Sequence, residues 1–124
     1  MRYKVRSIVL EENDKDLVIS FVLLDPKLGA STLTLIRTQF YEELLNDEMK
    51  GVHISMTRDS LQEEVFNTLT SINISDDNID ISSSLDEYHL DVSDISAIDM
   101  KKMLLLLNKQ NSDNQFTLNV VETV

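Results

Sequence analysis

The chain predicts an α+β fold: a mostly antiparallel sheet with one principal C-terminal helix packed on a face. Three observations carry that expectation. Short stretches of alternating apolar and polar residues recur from Tyr3 to Val92, the run MKKMLLLLNKQ is built from strong helix formers, and FTLNVV follows it with strand-like residues. Of 124 residues, 42% are hydrophobic and 27% charged, which places the chain with ordinary globular proteins and away from disordered acidic tails. Residues 1–124 are expected to form a single domain with its own core.

Each element follows from local pattern. Tyr3, Val5 and Val9 alternate with Lys4 and Arg6 as a first strand, and the polar run EENDKD separates it from LVISFVLL, Leu17 to Leu24. The two read as a hairpin whose second strand is buried on both faces. DPKLGAS is a turn, with Pro26 fixing one dihedral and Gly29 able to take a positive one, and TLTLIR alternates after it as a third strand. FYEELLNDEM, Phe40 to Met49, fits a short helix or an irregular excursion, ended by Gly51. VHISM, Val52 to Met56, is again a strand, while LQEEVFNTL fits a short helical turn or a lead into the next strand.

Ile72 and Ile74 face Ile79 and Ile81 across the turn SDDN, which predicts a second hairpin. YHLDV adds a strand with Tyr88, Leu90 and Val92 on one side. Ser96, with Asp99 three residues later, resembles a capping box with aspartate in place of glutamate and opens the helix. The lysines beyond it suit the negative end of the helix dipole, and Leu104 to Leu107 supply a broad apolar face. Met100 and Met103 are read as core fillers on that helix. Phe40 with Tyr41 is either an interface anchor or a core ring beside a rim ring.

Composition excludes several function classes. There is no cysteine, hence no disulfide framework, no cysteine-based zinc site and no thiol nucleophile, which suits a cytoplasmic protein. MRYKVRSIVLEEN has no sustained apolar core behind its basic residues, so it does not read as a secretory signal. Nothing approaches the roughly 20 apolar residues of a membrane-spanning helix, and no membrane partner is expected. With one proline and two glycines the chain carries no flexible linker and no phosphate-cradling glycine loop.

The stretch DDNIDISSSLDE, Asp76 to Glu87, has oxygen-bearing side chains at its first, third, fifth and twelfth positions, the spacing of a calcium-binding loop. Its sixth position is Ile81, where such a loop needs glycine for a sharp turn, and its flanks read as strands. A solvated hairpin turn is the expectation, with no metal and no cofactor. His53 and His89 are the only histidines, each inside a predicted strand. A structural or surface role is expected for both; His89 could join Asp86 or Asp91 in a metal site, but no metal-ligand spacing recurs elsewhere, so the chain is not expected to be an enzyme. The absence of tryptophan also argues against a sugar-cleaving cleft.

Charge is the strongest functional signal. Between Asp59 and Asp99 lie eleven acidic residues and no lysine or arginine, while the rest of the chain is balanced; this segment accounts for the net charge of -11. Such a run is either a solvated face or a docking surface for a basic partner. It repels nucleic acid, so direct binding to DNA or RNA is disfavoured. The candidate partner-binding residues are Asp76, Asp77, Asp80, Asp86, Glu87, Asp91 and Asp94, with the turn residues Asp76 and Asp77 foremost.

The order of these features resembles the small α+β immunity proteins of bacterial polymorphic-toxin and contact-dependent inhibition systems. The resemblance rests on the opening strand pair, LTLIR followed by acidic YEELLNDE, then GVHIS, the INIS/IDIS hairpin and a late helix. One such family commonly carries a tryptophan and a Gly-Gly-x-Arg motif; this chain has neither, and no residue role is carried over by motif. The resemblance implies a cytoplasmic protein, favoured as a monomer, that binds a cognate basic toxin domain, often a nuclease, and blocks its active site or substrate groove. An acidic secretion chaperone of the type III kind and a small hydrolase using His89 are the competing readings.

Overall fold

The computed structural model describes residues 2–25, 29–38, 51–56 and 67–121. The expected helix or excursion at Phe40 to Met49 lies outside them, as do Phe40, Tyr41 and most of LQEEVFNTL. The remaining elements form a mostly antiparallel eight-stranded sheet with one helix packed on it, an α+β fold.

Two meanders supply most of the sheet. The first is β1 (Arg2–Glu12), β2 (Asp16–Asp25), β3 (Gly29–Thr38) and β4 (His53–Met56), each antiparallel to the next. The second is β5 (Leu69–Ile74), β6 (Asn78–Ser83) and β7 (Glu87–Asp91). The expected hairpin register holds, with Ile72 opposite Ile81 and Ile74 opposite Ile79. β7 then joins β1 in parallel, Tyr3 opposite Leu90, and β8 (Thr117–Val120) lies parallel to β5, giving the order β4-β3-β2-β1-β7-β6-β5-β8.

The sheet curls until its first edge meets the start of β5. An antiparallel bridge pairs His53 with Thr68, flanked by backbone bonds from Ile54 N to Asn67 O and from Leu69 N to Val52 O, both 2.8 Å. Since β6 takes the opposite edge of β5, β4 and β8 follow one another along the same edge. A short seam therefore closes seven strands into a barrel, which removes an otherwise open strand edge.

The barrel interior is apolar. Leu17, Ile19, Phe21 and Leu23 of β2 point inward, as do Leu33 and Leu35 of β3, Ile79 and Ile81 of β6, and Tyr88 and Leu90 of β7. β2 differs from expectation: Val18 and Val22 on its other face are half-buried and Leu24 is exposed, so the strand is fully buried on one face only. The alternation expected for β1 also breaks. A bulge between Val5 and Ser7 shifts the register by one residue, turning Ile8 and Leu10 toward the core and leaving Val9 55% exposed.

Turn chemistry is local and polar. Between β1 and β2 the Asn13 side chain accepts from Lys15 N and Asp16 N, at 2.8 and 2.9 Å. Gly51 takes φ +93°, a conformation that glycine adopts without a Cβ clash, where the chain enters β4.

Helix α1 (Ala97–Gln110) crosses the end of the barrel at which β2 begins and β3 ends, packing against β1 and β2. Met103, Leu106 and Leu107 are buried, whereas Leu105 is 60% exposed, so the apolar face is narrower than the leucine run suggests. The expected cap is present: Ser96 Oγ accepts from Asp99 N at 3.2 Å. Ser96→Ala should lower stability by about 1 kcal/mol, read as a shift in the urea midpoint; an unchanged midpoint would show that water replaces the cap without loss.

At the other helix end, Gln110 is fully buried and its amide Nε2 donates to Leu17 O and Leu35 O, at 2.9 and 3.1 Å. Arg37, buried at the end of β3, donates Nη1 to Gln110 O at 2.6 Å and pairs both terminal nitrogens with Asp113, at 2.7 and 2.8 Å. A guanidinium at the negative helix terminus satisfies a terminal carbonyl and complements the dipole. These bonds fasten the helix across the barrel end, and that placement creates the cleft described next.

Candidate functional site

The second meander carries the acidic residues, and its pleat decides where they point. Along β7, Tyr88 and Leu90 face the core, so Glu87, His89 and Asp91 face outward. Along β6, Ile79 and Ile81 face the core and Asp80 faces outward. Register sets Asp91 opposite Asn78, His89 opposite Asp80 and Glu87 opposite Ser82. The result is a polar band along two neighbouring strands, with Glu87 and Asp91 separated by about 13 Å of strand.

The ends of the band are distinct. Asp76 and Asp77 sit in the β5–β6 turn, held by Ser75 N to Asn78 O at 2.9 Å, while Val92 N donates to Asp77 O at 2.8 Å and ties the turn to the end of β7. Asp91 and Asp94 belong to the same end: Asp91 accepts from Ser93 N, and Asp94 pairs with Lys4 Nζ at 2.9 Å. The Lys4 ammonium is raised from its usual pKa by that hydrogen bond and by the Asp94 charge, with Asp91 adding to the attraction. Asp86 lies at the far end, in the β6–β7 turn, where its Oδ1 accepts from Glu87 N and its backbone is held by Ser83 Oγ.

The seven expected partner-binding residues thus divide. Asp76, Asp77, Asp91 and Asp94 gather at the end of the barrel that receives the helix, Asp80 stands mid-band, and Asp86 with Glu87 marks the opposite end. Among the described residues the carboxylates of Asp77 and Glu87 form no ion pair. The acidic residues Asp59, Glu63 and Glu64 lie outside the described residues.

Asp76 and Glu87 occupy opposite ends of a strand hairpin, so the calcium-loop spacing converges on no single point. Among the described residues no three His, Asp or Glu side chains group as metal ligands. His89 is partnered by Asp80, with Nδ1 2.9 Å from Oδ1, rather than by Asp86 or Asp91. Both side chains are about half exposed on the outer barrel face.

A cleft of about 560 Å³ opens beside the acidic turn. Its apolar lining comes from Ile74, Val92, Met100, Met103, Val120 and Val121, and its polar rim includes Asp76, Asp77 and Lys101. Three elements make it. Met100, Met103 and Leu104 share a helix face by their i, i+3, i+4 spacing. That face lies over the end of β5, and β8 brings Val120 alongside. Val121 N donates to Ile74 O at 2.7 Å, pinning the cleft wall after the strand proper ends. The methionine spacing was legible as a helix face, but its meeting with the end of β8 depends on a parallel pairing that no local pattern announces.

The fold and this surface define an α+β barrel with an acidic band and an adjacent apolar cleft. Among known proteins, no family model, no curated protein and no solved structure matches the chain. Among the described residues, no helix is long and apolar enough to cross a membrane.

Proposed function

We propose that the chain is an immunity-type inhibitor that uses its acidic band to bind a basic toxin domain and cover that domain's active site or substrate groove. The observation that supports this reading most is the placement of the acidic segment. Asp76, Asp77, Asp80, Asp86, Glu87, Asp91 and Asp94 follow one hairpin and its flanking turns outward, on backbone held by strand pairing. Strand pairing pre-organises the backbone that carries these carboxylates, so a basic groove meets them with little backbone ordering cost, and the long-range field speeds encounter. The same field disfavours nucleic acid, so competition with a nucleic-acid substrate for a basic groove is the natural mode of inhibition.

The double reversal Asp76→Lys and Asp77→Lys should slow association by about tenfold at low salt and flatten its ionic-strength dependence. The partner comes first, from a tagged pull-down in host lysate washed at low and then high salt. Recovery at equal stoichiometry of one basic domain whose toxic activity the chain abolishes supports the reading. A dimer holding an extended segment indicates a secretion chaperone, and turnover of a substrate indicates a hydrolase. Unchanged association kinetics in the reversed variant would remove the turn from the interface.

A further inference from the structure

The cleft beside the acidic turn joins an apolar wall to a carboxylate rim. Its lining is apolar, yet it opens to solvent against Asp76 and Asp77, and Val120 and Val121 on its wall remain 43% and 57% exposed. Apolar side chains left accessible beside fixed carboxylates suit a ligand with the inverse arrangement. Both walls are held. Val121 is pinned by its backbone bond to Ile74, Asp77 by its carbonyl bond to Val92, and the helix by its Ser96 cap and its Arg37 and Gln110 bonds at the far end.

We infer that this cleft is the anchor point of the partner interface and receives one aliphatic side chain from a partner segment in which that residue is flanked by lysine or arginine. The inference rests on the proposed reading of an acidic, protein-binding face and adds to it the chemistry of the contact. The aliphatic group displaces water from Met100, Leu104, Val120 and Val121, over a floor of buried Ile74 and Val92, and the flanking cations meet Asp76 and Asp77. Lys101 on the helix side of the rim sets the orientation, because a partner cation is repelled there and attracted at the turn. The band along β6 and β7 then governs encounter, and the cleft governs residence.

Three capped heptapeptides test this on the isotopically labelled chain by NMR titration to millimolar concentration: Ser-Gly-Lys-Leu-Lys-Gly-Ser, and versions with Lys-Ser-Lys or Glu-Leu-Glu at the centre. The Lys-Leu-Lys peptide should shift the Ile74, Val92 and Val121 signals saturably. Loss of the leucine should weaken it about tenfold, and the Glu-Leu-Glu exchange about fivefold or more. Ala97→Trp, at the exposed first helical position on the cleft rim, should block the titration, and Val121→Gln should weaken it if the tryptophan variant fails to fold.

The outcomes separate the two proposals. If Lys-Ser-Lys binds as well as Lys-Leu-Lys and shifts only His89 and Glu87, the cleft is overturned as the anchor while the acidic face stands. If Glu-Leu-Glu enters the cleft as tightly as Lys-Leu-Lys, the basic character of the partner is overturned. A cleft silent to all three peptides overturns the anchor outright, whatever the charge-reversed variant does in the toxin assay.

Discussion

Replacing Phe21 with alanine is expected to remove about 4 kcal/mol of folding stability, read as a lower urea midpoint at an unchanged slope. Phe21 is 1% exposed on the inward face of β2, opposite Ile8 on one side and Leu33 on the other. Both neighbours are strands held in register along most of their length, so the interior cannot relax far into the space a missing ring leaves. The loss is a large part of the roughly 5–15 kcal/mol that stabilises a domain of this kind. Val9→Ala, on the exposed side of the same strand pair, is the control and should change little. A Phe21→Ala loss below about 1 kcal/mol would mean that the barrel collapses around the gap.

The second large effect is asymmetric, and the asymmetry tests the physics at the helix end. Asp113→Ala should cost about 3 kcal/mol, because it takes a bidentate carboxylate away from the buried Arg37 guanidinium. Arg37→Met should cost less, about 1.5 kcal/mol: the apolar stem is kept, Asp113 is 44% exposed and rehydrates, and the Gln110 carbonyl loses its guanidinium donor. Equal costs, or the reverse order, would show that water reaches the guanidinium.

The pair also sets an acid limit. Hydrogen bonds from Arg37 hold the Asp113 carboxyl at about 2, below its usual value of 3.8. A depressed folded-state pKa contributes stability that is fully present above the unfolded value and is lost as pH falls through the folded one. The contribution therefore fades from about pH 4 downward and is gone below about pH 2. In Asp113→Ala this part of the acid limb should vanish from a stability-versus-pH series.

Much of the fold was legible where one rule governed one element. Ile72, Ile74, Ile79 and Ile81 predicted their own hairpin because period-two alternation and a polar turn agree there. Ser96 and Asp99 marked the helix start because capping chemistry and the helix formers after it agree there. What escaped was non-local or exceptional. The β1 bulge inverts the facing of Val9 without a glycine to flag it, and LVISFVLL reads as doubly buried when only closure of the sheet decides which face is inside. The direction of β7 and β8 was equally hidden, since a strand's sequence does not say whether its partner runs parallel.

The candidate site shows the same division. Charge content was plain in the sequence, and the pleat of β6 and β7 turns Asp80 and Glu87 outward as alternation requires. The spread of the seven residues over two barrel ends and the band between them was not plain, because hairpin length separates Asp76 from Glu87 while the turn after β7 returns Asp94 toward the start. Arg37 was half legible: alternation sets it on the inward face of Leu33 and Leu35, but its sequence gives no hint of the partners, Gln110 and Asp113, that arrive from the far end of the chain.

The parallel pairing of β1 with β7 has a consequence in time. Residues 2–4 take their second neighbour from residues 89–91, and the chain must be synthesised at least that far before the pairing is possible. At a ribosomal pace of roughly 5–20 residues per second, the β1–β2–β3 unit spends several seconds with the start of β1 uncovered. The exposed residues of β1 include Lys4, Arg6, Glu11 and Glu12, charges of both signs that discourage stray pairing during this interval. A nascent chain halted before β7 should accordingly be more protease-sensitive at its N-terminus than one halted after it, although both already contain the first meander.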